Sequence, residues 1–290
     1  MNCMGIEVAV IFAFLAMICW GLGDFLIQRC TRKVGNVEAL AIIGIFGSIA
    51  LAPFIIKELP LLNSLPNIIL LSFLGIVTFI AAIFDFEALK EGKLSVVDIV
   101  IEIELPVTII LGFIFFKETL SSLQLIVISF LFLGLILIAS QSLKHLKLKL
   151  EKGVFIAFIA AILMGGINFL TASSSRQISP LMAIWVPWII FTVICVVYIW
   201  KREGFGKFIK NTKKFKFILL GMAIFDTSAW LCYAYATQTA EISIITSITE
   251  AYPAIALFLG LWINKESIGW HQYTGAGVAL VASFILGFLI

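Results

Sequence analysis

Carboxylates in the middle of long apolar runs, with aromatic rings one helical turn away, are the residues of this chain best suited to bind a proton or a cation. Asp226 lies midway along the run 216–237, where Asp226, Trp230 and Tyr233 share one helical face at i, i+4 and i+7. Glu250 falls about eight residues into the run 242–263, on a face shared with Ser243, Thr246 and Pro253. Asp98 and Glu102 form an i, i+4 pair in the run 94–116, and a continuous helix there would turn Glu104 away from them. Asp24 stands four positions after Trp20 near the end of the first run. A charged side chain at the centre of a bilayer costs about 2.5–3.5 kcal/mol on the insertion scale, so such residues are expected to face a cavity or a partner. Two chemistries fit: binding of an amine or other cation, and proton uptake when the site is closed to water.

Structural roles compete with these. Asp24 is close to Gln28 and Arg29 and so also fits a water-facing position at a span end. Asp85 and Glu87, beside Lys90, read as a solvated end, and Asp98 as a first-turn acid favoured by the helix dipole. Lys117-Glu118 and Lys265-Glu266 read as snorkelling ends and turn formers. No Lys or Arg lies well inside an apolar run, which argues against phosphorylated substrates, because a phosphate wants a cationic partner. The five cysteines form no CxxC or His-linked pattern, so no metal and no cofactor is expected.

These residues are positioned by helices that the composition places in a membrane. Of 290 residues, 62% are hydrophobic and 13% charged, against about 25% charged in a soluble domain; the mean hydropathy is +1.13. Ten spans are predicted, at 6–27, 36–56, 67–89, 94–116, 121–141, 153–175, 180–200, 216–237, 242–263 and 269–290. The polar stretch 142–152 divides the chain into halves 6–141 and 153–290. Seventeen of the 20 Lys and Arg residues fall in loops on one side, which predicts a cytoplasmic side there and both termini outside. The net charge of +3 carries no nucleic-acid reading, since the basic residues sit between spans. The basic loop 201–216, with phenylalanines interleaved, fits an amphipathic segment on anionic lipid or a simple topology signal. Gly275, Ala279, Ser283 and Gly287 make a small-residue stripe suited to internal packing or to a dimer contact, so a monomer and a homodimer both stay open.

The halves repeat. Ser95, Glu102, Gly112, Lys117 and Glu118 recur 148 positions later as Ser243, Glu250, Gly260, Lys265 and Glu266. Gly21, Asp24, Phe25 and Arg32 recur 144 positions later as Gly165, Asn168, Phe169 and Arg176. Five spans per repeat turn the second copy upside down, an arrangement in which substrate sites lie near the midplane where repeats meet. The repeat singles out Glu102 and Glu250 as one carboxylate per half. Pro106 and Pro253 are one residue out of this register, which predicts bends at different depths in the two spans.

Trp20-Gly21 through Asp24-Phe25, Gly166 to Phe169, and the paired Pro, Gly and Lys-Glu positions at Pro106, Gly112, Lys117, Glu118 and Pro253, Gly260, Lys265, Glu266 resemble the EamA family of the drug/metabolite transporter superfamily over nearly the whole chain. The resemblance implies an all-α polytopic protein of the cell membrane, with ten transmembrane helices in two inverted five-helix repeats and alternating access to a central cavity for a small metabolite or drug. The expected protein is a secondary transporter rather than an enzyme, an exporter, with Glu102, Glu250, Asp226, Asp24, Asn168, Trp20, Trp230 and Tyr233 around the cavity and a proton as candidate coupling ion. A passive channel is the nearer alternative. An intramembrane aspartyl protease is the remoter one, since Gly21-Leu22-Gly23-Asp24 reads GxGD but no Asp precedes Asp24.

Overall fold

The computed structural model describes residues 3–91, 100–140, 152–202, 204–265 and 268–290, all helix and connection without a strand among them. Asp98 and Glu266 lie outside the described residues. The helices are α1 (Cys3–Val34), α2 (Asn36–Ile55), α3 (Leu65–Glu91), α4 (Glu104–Leu111, continued by a π-type turn Gly112–Phe116), α5 (Ser122–Ala139), α6 (Lys152–Gln177), α7 (Pro180–Arg202), the short α8 (Phe205–Lys214), α9 (Lys216–Thr239), α10 (Ile242–Thr249), α11 (Tyr252–Asn264) and α12 (Trp270–Phe288). Eight stretches are long and apolar enough to cross a membrane, counting α10 and α11 together. The described part of the fourth predicted span is a shorter apolar helix, Glu104–Phe116. The tenth, α12, begins with the polar run His271-Gln272 and is not among the eight. Outward-facing Ile49, Phe73, Phe130 and Phe284 are more than half exposed, a surface that suits lipid rather than water.

The main helix pairings recur when the halves are exchanged. Helix α1 lies against α9 as α6 lies against α3, while α2 packs on α7 and α5 on α12, each on its own counterpart. Two glycines make the correspondence atomic. A Cβ on Gly21 would meet Ile255 Cβ at 2.6 Å and the Tyr252 carbonyl at 3.1 Å; one on Gly165 would meet Val107 Cβ at 2.8 Å and the Glu104 carbonyl at 2.9 Å. Each partner is displaced from its equivalent by the same 148 positions that relate the sequences. The bare glycines let α1 and α6 approach the broken fourth and ninth segments closely.

Those segments break at corresponding places. The helix is interrupted at Glu102-Ile103 and at Glu250-Ala251, then restarts at Glu104 and at Tyr252. The one-residue shift of the prolines does not displace the breaks, contrary to the sequence expectation. Pro106 and Pro253 both fall in the first turn of the restarted helix, where a missing N–H costs nothing because that turn has no internal acceptor for it. Both restarted segments also end alike, on Lys117 at φ +56° and Lys265 at φ +54°, in the left-handed conformation.

The small-residue stripe is used inside the chain. Gly275 and Ala279 pack on Gly134 of α5, and Gly287 packs against Phe14 and Val10 of α1. The stripe thus holds α12 in the bundle, where Gln272 Nε2 also donates to the Ile138 carbonyl at 2.9 Å.

Candidate functional site

A cavity of about 140 Å³ lies where the two broken segments meet α1, α3, α6, α7 and α9. Five carboxylates line it: Asp24, Asp85, Glu104, Asp226 and Glu250, with Asn168 and the rings of Trp20, Trp188, Phe191, Trp230 and Tyr252, and no Lys or Arg among the described residues. It adjoins a wide vestibule of about 1010 Å³ that shares Asp24, Asp85 and Tyr252 with it. The vestibule leads to the basic loops, past Glu87, Glu102, Arg32, Lys33, Arg202 and Lys207.

Each side chain is placed by an identifiable device. Glu104 is the first residue of the restarted α4, so the interruption resets the helical phase and turns it inward. Its carboxylate accepts from Asn168 Nδ2 at 2.8 Å, and the same amide lies 3.4 Å from Thr108 Oγ1. Thr108 in turn donates to the Glu104 carbonyl at 3.0 Å. Glu250 sits in the gap between α10 and α11, 7% exposed, close to the Asn168 amide and to the charges of Glu102 and Glu104. Asp226, 8% exposed, comes from the middle of α9. Asp24 has its open face in the vestibule. The rings form one cluster: Trp20 stands edge-on to Trp230 with centroids 5.0 Å apart and tilted to Tyr233 at 5.5 Å and Tyr252 at 6.3 Å.

Of the residues picked out by sequence, Trp20, Asp24, Asn168, Asp226, Trp230 and Glu250 come together on this cavity. Tyr233 is fully buried behind it, its hydroxyl 2.8 Å from Thr246 Oγ1. Glu102 lines the vestibule instead of the inner cavity, and Glu104, expected to point elsewhere, takes the inner position. The expectation assumed an unbroken helix, in which residues two apart point in roughly opposite directions. The sequence places Asp85 at a solvated end, yet α3 continues to Glu91, which leaves Asp85 more than a turn inside the helix and on the cavity wall. Sequence reading also passed over Tyr252 and Trp188. Glu104 and Tyr252 are counterparts at the two restarts, so a search for helix breaks in both copies would have found the pair.

Glu118 is a further correction. It is 6% exposed rather than snorkelling, and it accepts hydrogen bonds from the first turn of α10 and from Arg176. Its neighbour Lys117 does form the turn, with the left-handed backbone already described. Among the described residues no group of three or more His, Cys, Asp or Glu is arranged to hold a metal ion.

A helical bundle whose mainly apolar surface suits lipid and whose interior holds carboxylates and aromatic rings in a cavity at the meeting of two sequence repeats defines a multi-pass membrane protein of transporter type. The chain belongs to the EamA-like transporter family, whose model matches residues 7–140 and 151–288 and so covers both halves. A solved crystal structure has the same fold at a TM-score of 0.77 and 12% identity, with 97% of this chain and 96% of the other covered. No curated protein matches the chain.

Proposed function

We propose that this protein is a secondary active transporter that moves a small amine-bearing metabolite or drug across the cell membrane in exchange for protons, by alternating access between two inverted five-span repeats. The observation that carries the reading is the inner cavity itself: five carboxylates and five aromatic rings converge there with no basic side chain among the described lining residues. Carboxylates attract an ammonium group, and the faces of Trp and Tyr add about 0.5–2 kcal/mol to a desolvated cation. The same carboxylates take up protons when the amine leaves, because an uncompensated cluster of negative charge in a low-dielectric site is costly. Competition between amine and proton for one site is then the coupling.

In this reading the fourth and tenth predicted spans complete a ten-span frame, supported by the main helix pairings that recur on exchange of the halves. The vestibule opens toward the basic loops, the side predicted to be cytoplasmic, so the amine loads from inside and the transporter exports it. The substrate-binding residues are Glu104, Glu250, Asp226, Asp24, Asn168, Trp20 and Trp230.

The test is amine-dependent proton flux in proteoliposomes, across a panel of amines, amino acids, sugars and sugar phosphates. Saturable exchange with amines, lost in Glu104→Gln, Glu250→Gln and Asp226→Asn, is the expected result. Normal exchange in all three variants would overturn the acid-centred mechanism, and conductance without saturation would favour a channel.

A further inference from the structure

At the end of the bundle remote from the vestibule, a partly buried ion pair ties the two halves together. Glu118 Oε1 accepts from the Ile242 amide at 2.7 Å and from Arg176 Nη2 at 3.2 Å; Oε2 accepts from the Ser243 amide at 3.0 Å and from Ser243 Oγ at 2.7 Å. Arg176 also donates from Nε to the Thr237 carbonyl and from Nη2 to the Ala240 carbonyl, both at 2.7 Å, so it holds the end of α9 as well. Its guanidinium lies 4.1 Å from the centre of the Phe116 ring. Gly112 makes room: a Cβ there would meet Glu118 Oε2 at 2.9 Å and Ser243 Oγ at 3.0 Å.

Position along the ninth segment gives this cluster its meaning. Ser243 is at the clustered end, Glu250 is in the cavity about 10 Å further along, and Gly260 lies on the vestibule wall about 15 Å beyond that. The cavity therefore sits between an end that is tied shut and an end where the described residues leave a wide vestibule. Arg32, the first-half counterpart of Arg176, lines the open vestibule, whereas Arg176 itself is engaged. Identical residue types in the two copies are thus in opposite situations.

We propose that Glu118, held by Arg176, Ser243 and the first turn of α10, is the latch that seals the cavity on the side opposite the vestibule and must release for the protein to open there. The bonds run from the first half (Phe116, Glu118) to the second (Arg176, Ile242, Ser243), so they resist separation of the halves at that end. A carboxylate is suited to the task because four donors hold it when dry, and water replaces them when the end opens. Loss of Arg176 leaves the Glu118 carboxylate buried and uncompensated, and loss of the Glu118 charge unties Arg176 from the first half; both favour the hydrated, open arrangement. This inference rests on the alternating-access reading.

The test uses Ser247→Cys in a background without the five native cysteines. Ser247 lies one turn below Ser243, is fully buried, and donates to the Ser243 carbonyl at 2.7 Å. Leu257→Cys, on the vestibule wall, reports on the other end. A membrane-impermeant maleimide is applied to intact cells and to inverted vesicles, so that both faces are sampled in either orientation. With Glu118→Gln or Arg176→Met, labelling of position 247 rises at least tenfold from one face while labelling of position 257 falls from the other. Ser243→Ala, which removes one bond and keeps the helix cap, gives a smaller change in the same directions. Unchanged labelling at position 247 in all three variants would overturn the latch. So would a rise at both positions together, because that reports a loosened bundle. Since labelling needs no substrate, failure here leaves the amine–proton result standing, and failure of that result leaves this one readable.

Discussion

The side-chain amide of Asn168 on α6 donates to the Glu104 carboxylate on α4 at 2.8 Å, a bond that joins the two halves within the inner cavity. Asn168 occupies the position that Asp24 holds in the first half. The two copies have therefore diverged in charge: one offers a carboxylate, the other an amide that orients a carboxylate from elsewhere. Asn168→Ala should destabilise the protein by about 1–3 kcal/mol, the cost of leaving a buried acceptor unsatisfied, and lower amine-dependent proton flux at least tenfold. Thermal unfolding in detergent and flux in proteoliposomes measure the two effects, and flux equal to wild type would remove Asn168 from the site.

Glu102 and Glu104 should separate in function although they are two residues apart. Glu104 faces the inner cavity and Glu102 the vestibule. Glu104→Gln is expected to abolish amine-driven exchange, whereas Glu102→Gln should weaken apparent amine affinity by a few-fold at low salt, with little effect on maximal rate. An electrostatic contribution from the wide vestibule is screened by salt, so the Glu102→Gln defect should shrink at high ionic strength. The reverse ranking would return the repeat-matched glutamate to the inner site.

Gly21→Ala and Gly165→Ala should cost similar amounts, because each added methyl group meets a β-branched side chain and a backbone carbonyl at 2.6–3.1 Å. Overpacking of this sort typically costs about 1–3 kcal/mol. Gly277→Ala, where a Cβ has open space, is the control and should be near neutral. Melting temperatures of the three purified variants decide it: equal shifts for all would mean the two glycine contacts carry no special load.

Lys117 and Lys265 are the two non-glycine residues with positive φ among the described residues. The left-handed conformation costs an L-residue about 1–2 kcal/mol, so Lys117→Gly and Lys265→Gly should be neutral to stabilising by up to about 1 kcal/mol. Lys117→Val should destabilise, since a β-branched side chain is a poor fit there. Thermal stability checks both directions, and a loss on glycine substitution would show that the lysine side chains matter more than the turn.

The aromatic cluster gives a prediction about ligand type. Trp20→Ala should weaken binding of a quaternary or protonated amine about tenfold or more while Trp20→Phe retains most of it, because the ring face supplies the attraction. Isothermal titration against a charged amine and its neutral isostere is the measurement. Equal losses for both ligands would reduce Trp20 to a packing role.

Much of this was legible in the chain itself. Hydropathy marked the apolar helices, the 144- and 148-residue offsets marked the two copies, and Gly21, Gly165, Lys117 and Lys265 stood at positions whose backbone requirements recur in the structure. Of the eight residues expected around the cavity from spacing, repeat match and family resemblance, six line one cavity. These features are local: a run of apolar side chains, a helical period and a repeated motif depend on neighbours in the chain.

What the chain did not disclose were the choices among carboxylates. Helical periodicity assigned faces on the assumption of one phase through 94–116, and the break at Glu102-Ile103 resets that phase, which exchanges Glu102 for Glu104. Asp85 gained its place because Asp24, Asn168 and Asp226, from helices remote in sequence, complete the cavity that it lines, and Glu118 because Arg176 and the start of α10, 58 and 124 residues away, supply its donors. The sequence by itself determined that this is a repeated helical membrane protein with acids inside its spans. Only the tertiary structure decided which acids share a cavity and which one ties the halves together, since burial and partner choice are set by helices remote in sequence.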